Sequence, residues 1–263
     1  MSESTLPPRN AALEPQLLQA LKDCAIGRPC LAFDAIPSTM DLVHTLAIED
    51  AEEGTCVWTE TQTAGRGRVG RTWVSPSGGL YISILLRPSR ILREVPQLAL
   101  IAGLAISQAI REQTDLDTVI RWPNDVLLRG RKVAGVLCET KARDNKIAAI
   151  IGIGVNVTTD PKHLPKEGTS LAQAAREPDR IALFASLCRR LDALYRQWNA
   201  EGFAPLKPAL VQHMLFGSIV HITAGSDSFQ GQTQDVDEQG RLVVRLDSGI
   251  LRAVEVGEVT LLR

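Results

Sequence analysis

The chain has 263 residues, of which 44% are hydrophobic and 22% charged, with a formal net charge of −1 at pH 7. That length suits one large domain, or a large one with a small companion. The near-balanced charge and ordinary apolar content exclude a disordered chain and a uniformly basic surface built to coat nucleic acid. No stretch reaches membrane-spanning length, because the apolar run 98–110 is interrupted by Gly103, Ser107 and Gln108. The N-terminal MSESTLPP lacks the basic-then-apolar profile of an export signal. The five cysteines are odd in number and never spaced C-x-x-C, which points to free, buried thiols in a reducing cytoplasm. The four histidines are scattered, and no zinc constellation is visible.

In chain order, residues 1–12 read as a loose polar tail, and Leu13, Leu17, Leu18 and Leu21 recur at helical spacing. Residues 30–36 read as a strand ending at Pro37, after which Ser38 or Thr39 caps a helix with Asp41 in its first turn. Strands are expected at 55–61 and 80–86, flanking a glycine-rich loop. Residues 95–113 form a helix apolar on nearly every side, one that must pack against a sheet. A short extended piece at 119–122, a Pro123-Asn124-Asp125 turn and a hairpin of 126–129 with 132–140 follow, then a strand at 146–154. Asp179 caps a long helix whose stripe runs from Ile181 to Trp198, and a shorter amphipathic piece covers 203–215. Beyond 218 the pattern alternates between short strands and turns, as in a small SH3-like barrel. The expected fold is therefore α+β, a mixed or antiparallel sheet packed with helices. The expected organisation is a tail and short helix (1–29), a catalytic domain (30–215) and an SH3-like domain (216–263).

The most unusual segment is QTAGRGRVGRTWVSPSGG, residues 62–79, where Arg66, Arg68 and Arg71 are threaded among Gly65, Gly67 and Gly70. Three guanidiniums so close repel one another unless an anion sits among them, and glycine lets backbone N–H groups approach a ligand. The segment thus reads as a loop ordered around a phosphate-bearing molecule; a solvated hairpin tip is the competing reading. A dinucleotide-binding turn is excluded. That pattern needs a helix directly after the glycines and an acidic residue about 20 positions on, whereas β-prone residues and Pro76 follow here.

The order and spacing of QTAGRGRVGR (62–71), WPND (122–125), RKVAG (131–135) and GIGVN (152–156) resemble the motif series of biotin protein ligases, from about residue 30 to the end. The resemblance implies a class II synthetase-like catalytic domain. It would join biotin to ATP, giving biotinoyl-5′-AMP and pyrophosphate, and then transfer biotin to a lysine of a biotin carboxyl carrier protein or domain. It implies that Ser38, Thr39 and Gln62 meet the biotin ureido ring, with helix capping a second role for the first two. Met40 stands where some members have asparagine. Gly65, Arg66, Arg68, Lys132 and Gly135 are implied around biotin. Arg68, Arg71, Trp73, Asn124, Asp125, Lys132, Gly152, Gly154 and Asn156 are implied around ATP or the adenylate. Lys132, Arg66 and Asp125 are the implied catalytic groups, Lys132 relieving repulsion as carboxylate attacks phosphate. Asp125 would serve either Mg²⁺, arriving with ATP and without a fixed protein site, or the acceptor lysine; a plain turn is the alternative for Asn124 and Asp125. Trp73 would stack on adenine or act as a hydrophobic anchor, and Asn156 would read adenine or cap a loop. Some family members carry an N-terminal DNA-binding winged helix; residues 1–29 are too few for that module, so no DNA binding is expected, nor membrane association without a long apolar run, and a weak or ligand-dependent homodimer stays open. A lipoate or octanoate ligase and a non-catalytic binding module are the rival readings.

Overall fold

The computed structural model describes residues 6–143, 146–174, 178–255 and 257–262. Helix α1 (Glu14–Ala20) leads into β1 (Cys30–Ile36), α2 (Thr39–Ile48), β2 (Cys56–Gln62) and β3 (Gly79–Leu86). Then come α3 (Gln97–Thr114), β4 (Val119–Arg121), β5 (Asp125–Leu128), β6 (Arg131–Arg143) and β7 (Lys146–Asn156). These seven strands form one sheet in the order β1-β2-β3-β7-β6-β5-β4. Only β1 and β2 run parallel, so the sheet is mixed.

Strand β3 is buried along its whole length because both faces of the sheet are covered. Leu80, Ile82, Ile84 and Leu86 face a large core with α1, α3 and α4 (Arg180–Glu201), while Leu85 joins Phe33, Met40 and Val43 under α2. The two-residue strand period separates the faces. On β7 it sends Ile151, Ile153 and Val155 to the large core, and Ile150, Gly152 and Gly154 to the α2 face. Helix α3, buried at twelve positions, lies between the sheet and α4 as its all-round apolar character requires.

Asp179 caps α4, its Oδ1 accepting from the N–H groups of Ile181 at 2.8 Å and Ala182 at 3.4 Å. Asp179→Ala is expected to lower stability by about 1 kcal/mol, measured by denaturant titration at unchanged m-value. The piece at 203–215 yields only the short helix α5 (Lys207–Val211) after a 3₁₀ turn, since Pro205 and Pro208 supply no N–H.

Strands β8 (Ile219–Ala224), β9 (Asp227–Val236), β10 (Leu242–Arg245), β11 (Leu251–Val254) and β12 (Glu258–Leu261) make a second, antiparallel sheet in the order β11-β10-β9-β8-β12. It is SH3-like in size, but among the described residues no ladder closes β11 on β12 into the expected barrel. Its β9–β10 turn docks on the main body, where Trp122 Nε1 donates to Gly240 O and Gln97 Nε2 to Gln239 O, each at 3.0 Å. All five cysteines are free. Burial pushes the Cys24 thiol up to about 11 and that of Cys138 to about 12, so neither is a ready nucleophile. Among the described residues no helix is long and apolar enough to cross a membrane.

Candidate active site

The α2 face of the sheet carries a trough, and missing side chains create it. Gly135 on β6 stands directly opposite Gly154 on β7, two residues from Gly152 on the same face. Helix α2 forms one wall and the arginine loop the roof, leaving a cavity of about 60 Å³. Its lining includes Thr39, Gln62, Arg66, Arg68, Trp73, Asn124, Lys132, Gly135, Gly152 and Gly154.

At one end, the Gln62 side chain links helix and loop. Its Oε1 accepts from Thr39 N at 2.9 Å and Thr39 Oγ1 at 3.1 Å, and its Nε2 donates to Ser75 Oγ at 2.8 Å. Ser83 Oγ donates to Thr39 Oγ1 at 2.8 Å from β3 beneath. This end thus presents paired donors and acceptors in buried surroundings, where an unpaired polar group costs about 1–3 kcal/mol. Gly65 permits the arrangement by close approach: an added Cβ would lie 2.3 Å from Trp73 O and 2.8 Å from Ser75 Oγ. Gly65→Ala is therefore expected to destabilise the fold by roughly 1–3 kcal/mol and to weaken ligand binding. Thermal unfolding and calorimetric titration check the two effects.

The three loop arginines differ in what holds them. Arg66 donates to Asp41 Oδ1 at 2.8 Å and Glu139 Oε1 at 2.5 Å, and Glu139 Oε2 lies 2.6 Å from His44 Nε2. Arg71 pairs with Glu258 at the start of β12. Arg68 has only neutral acceptors, Asn124 Oδ1 and Gly257 O, each at 3.1 Å, and among the described residues no carboxylate reaches salt-bridge distance of it. Burial pulls its guanidinium below the ordinary arginine value, opposed by Asp125 and reinforced by Arg71. A partly desolvated cation satisfied by dipoles alone is a ready seat for an anion.

Lys132 enters beneath the loop from the start of β6. Its Nζ lies 2.5 Å from Asp125 Oδ1 and 5.1 Å from the centroid of the Trp73 ring. Asp125 Oδ2 accepts from Arg121 at 2.6 Å. With both oxygens taken by cations, Asp125 fits the task of aiming Lys132 better than that of holding a resident metal. Among the described residues no group of three or more His, Cys, Asp or Glu is arranged to bind one.

Some expected site residues lie outside the trough. Ser38 is buried as the cap of α2, its Oγ accepting from Asp41 N at 3.4 Å. Gly65 packs against Trp73 and Gln62 and Asp125 against Lys132, while Arg71 is exposed and paired with Glu258. Asn156 is not brought to the trough: its Nδ2 donates to Thr169 O at 3.0 Å in a buried position, which fits loop capping and gives adenine reading no support. Sequence reasoning passed over Asp41, His44, Glu139 and Gly257, which hold or adjoin the loop arginines. No local pattern marks them, since Glu139 lies 73 positions from Arg66.

Residues 32–156 match the Biotin/lipoate A/B protein ligase family, and residues 215–262 match the Biotin protein ligase C terminal domain. The Bifunctional ligase/repressor BirA of Bacillus subtilis is 36% identical over 245 residues, covering 90% of this chain and 75% of that protein. The Biotin--[acetyl-CoA-carboxylase] ligase of Mycobacterium tuberculosis is 32% identical over 233 residues, 85% of each. Among solved structures, the biotin protein ligase from Aquifex aeolicus in complex with biotin and ATP aligns with a TM-score of 0.78 at 30% identity. That alignment covers 90% of this chain and 99% of the Aquifex chain. A glycine-floored trough under an arginine loop, and relatives matched along most of both chains, lead to one assignment: this chain belongs to the biotin protein ligase family.

Proposed function

We propose that the chain is an ATP-dependent biotin protein ligase. It joins the carboxylate of biotin to the α-phosphate of ATP, releasing pyrophosphate, and passes the acyl group from biotinoyl-5′-AMP to a lysine of a biotin carboxyl carrier domain. The observation that carries this reading is Arg68, a half-buried cation without a carboxylate partner among the described residues, facing the same trough as Lys132.

The Thr39–Gln62 pair exchanges its internal hydrogen bonds for those of the ureido ring, so burying the ring leaves no polar atom unmatched. Lys132 sits between the two anions as they meet, and its ammonium gains most where charge builds up in the transition state. Arg68 and Arg66 hold the phosphate of the mixed anhydride while the loop excludes water. Mg²⁺ belongs to the nucleotide substrate. When the acceptor lysine arrives, a carboxylate near the acyl carbon eases loss of its proton. Asp125 is the nearest acid to Lys132 and would serve once that contact opens.

The matched family also covers lipoate ligases, and the polar end of the trough favours biotin. A dithiolane ring offers no strong hydrogen-bonding group to Thr39 and Gln62. Incubating the protein with labelled biotin, MgATP and a carrier domain should give label on one lysine and release of pyrophosphate. Lipoate in place of biotin should give neither; turnover of lipoate without turnover of biotin would sink the assignment.

A further inference from the structure

We propose that Trp73 is an internal plug, its indole lying in the trough, and that it must be expelled before biotin enters. The inference rests on the biotin-ligase reading and adds a gate to it. The indole lies across the glycine floor. A Cβ on Gly154 would fall 2.5 Å from Trp73 Cε2 and Nε1, and one on Gly135 would fall 3.0 Å from Cζ3. The floor that the chain leaves bare is thus filled by a ring from another segment. What remains is about 60 Å³, several-fold below the ~300 Å³ at which small-molecule pockets begin.

Three further observations mark this as a station the ring can leave. Trp73 Nε1 is buried without a hydrogen-bond partner among the described residues, whereas a buried indole in its final place ordinarily has one. The polar end is closed on itself as well, with Gln62 Oε1 spent on Thr39. The loop carrying the ring is also held away from its relaxed shape. Val69 has φ 53° and is 77% exposed, a left-handed β-branched residue with little packing to compensate.

Expulsion does not require unfolding. Trp73 N donates to Gly65 O at 2.9 Å and Trp73 O accepts from Ser75 Oγ at 3.1 Å, so the backbone stays anchored while the ring rotates out. Lys132 then loses its aromatic partner and is free to meet an anion, and the released indole presents a face to a flat base.

Rapid mixing of labelled biotin, without ATP, with the wild-type chain, Trp73→Ala and Trp73→Phe tests the plug. In the wild type, the observed association rate should level off as biotin rises, limited by ring expulsion. In Trp73→Ala it should rise linearly and be about 10-fold faster or more, because an open state populated at 0.1–10% scales the apparent on-rate by that fraction. Trp73→Phe should fall between, and biotin should shift tryptophan emission to the red in the wild type but not in Trp73→Phe. Equal, unsaturating rates in all three proteins would overturn the plug and leave the ligase reading standing. Failure of the folded wild type to bind biotin at all would overturn both. If circular dichroism shows Trp73→Ala unfolded, the wild-type plateau and its relief in Trp73→Phe decide alone.

Discussion

Lys132→Ala should lower the rate of pyrophosphate release from biotin and ATP by roughly 10²–10³-fold, with biotin affinity changed only a few-fold. The asymmetry follows from when the ammonium acts. In the proposed mechanism ground-state biotin is held chiefly by the Thr39–Gln62 end of the trough, whose groups bond one another here, while Lys132 meets charge that appears only as carboxylate and α-phosphate converge. The fold should tolerate the change, since Lys132 is 30% exposed and Asp125 keeps Arg121 at 2.6 Å after the lysine is gone. Lys132→Arg should rescue poorly. The stem packs tightly, with Cε 3.0 Å from where a Gly135 Cβ would stand, and a planar fork does not replace a point charge there. Single-turnover adenylation alongside equilibrium binding of biotin separates the two effects. Near-normal turnover in Lys132→Ala would remove the proposed mechanism.

For Arg68→Gly the expected result is an enzyme that still makes the adenylate but fails to keep it. A charge-assisted hydrogen bond contributes about 1.5–3 kcal/mol, so the residence time of the adenylate should fall roughly 10–100-fold. Escaped biotinoyl-5′-AMP acylates whichever exposed amines it meets. Mass spectrometry of bystander proteins incubated with the variant, biotin and ATP should find scattered biotinyl-lysines that the wild type does not produce. The variant also loses the contact from Arg68 to Gly257 O, which ties the loop to the second sheet, so greater loop mobility should accompany the leak. Retained selectivity for the carrier lysine would contradict the role. Arg71 would not substitute, because it is already paired with Glu258.

Much of this was readable from the chain because its signals are local. The apolar run of 80–86, the all-round apolar helix ending near residue 113 and the Asp179 cap each depend on neighbours a few positions away, and β3, α3 and α4 lie where those patterns put them. The glycine-arginine run advertised an anion for the same reason: like charges on a side-chain-poor backbone need no tertiary contact to look unusual. Other features depend on distant partners: the Asn156 amide, which the sequence offers either to adenine or to a loop, donates through Nδ2 to Thr169 O. The amphipathic piece at 203–215 is interrupted at Pro208, which sits in the first turn of α5 and bars a helix from continuing through it from residue 203.

By itself, then, the sequence determined the element types and the cationic loop, both encoded within windows of a few residues, while Lys132 stood out only through the likeness of its RKVAG segment to the family's motif. The tertiary structure alone decided that Gly135 would face Gly154, because strand register is set by pairing between segments and a shift of one residue would have sent these glycines to the opposite face. It likewise decided which arginine remained without a carboxylate partner among the described residues, and that the Trp73 indole would fill the trough. Charge neutralisation and packing act through space, between groups whose separation along the chain carries no information.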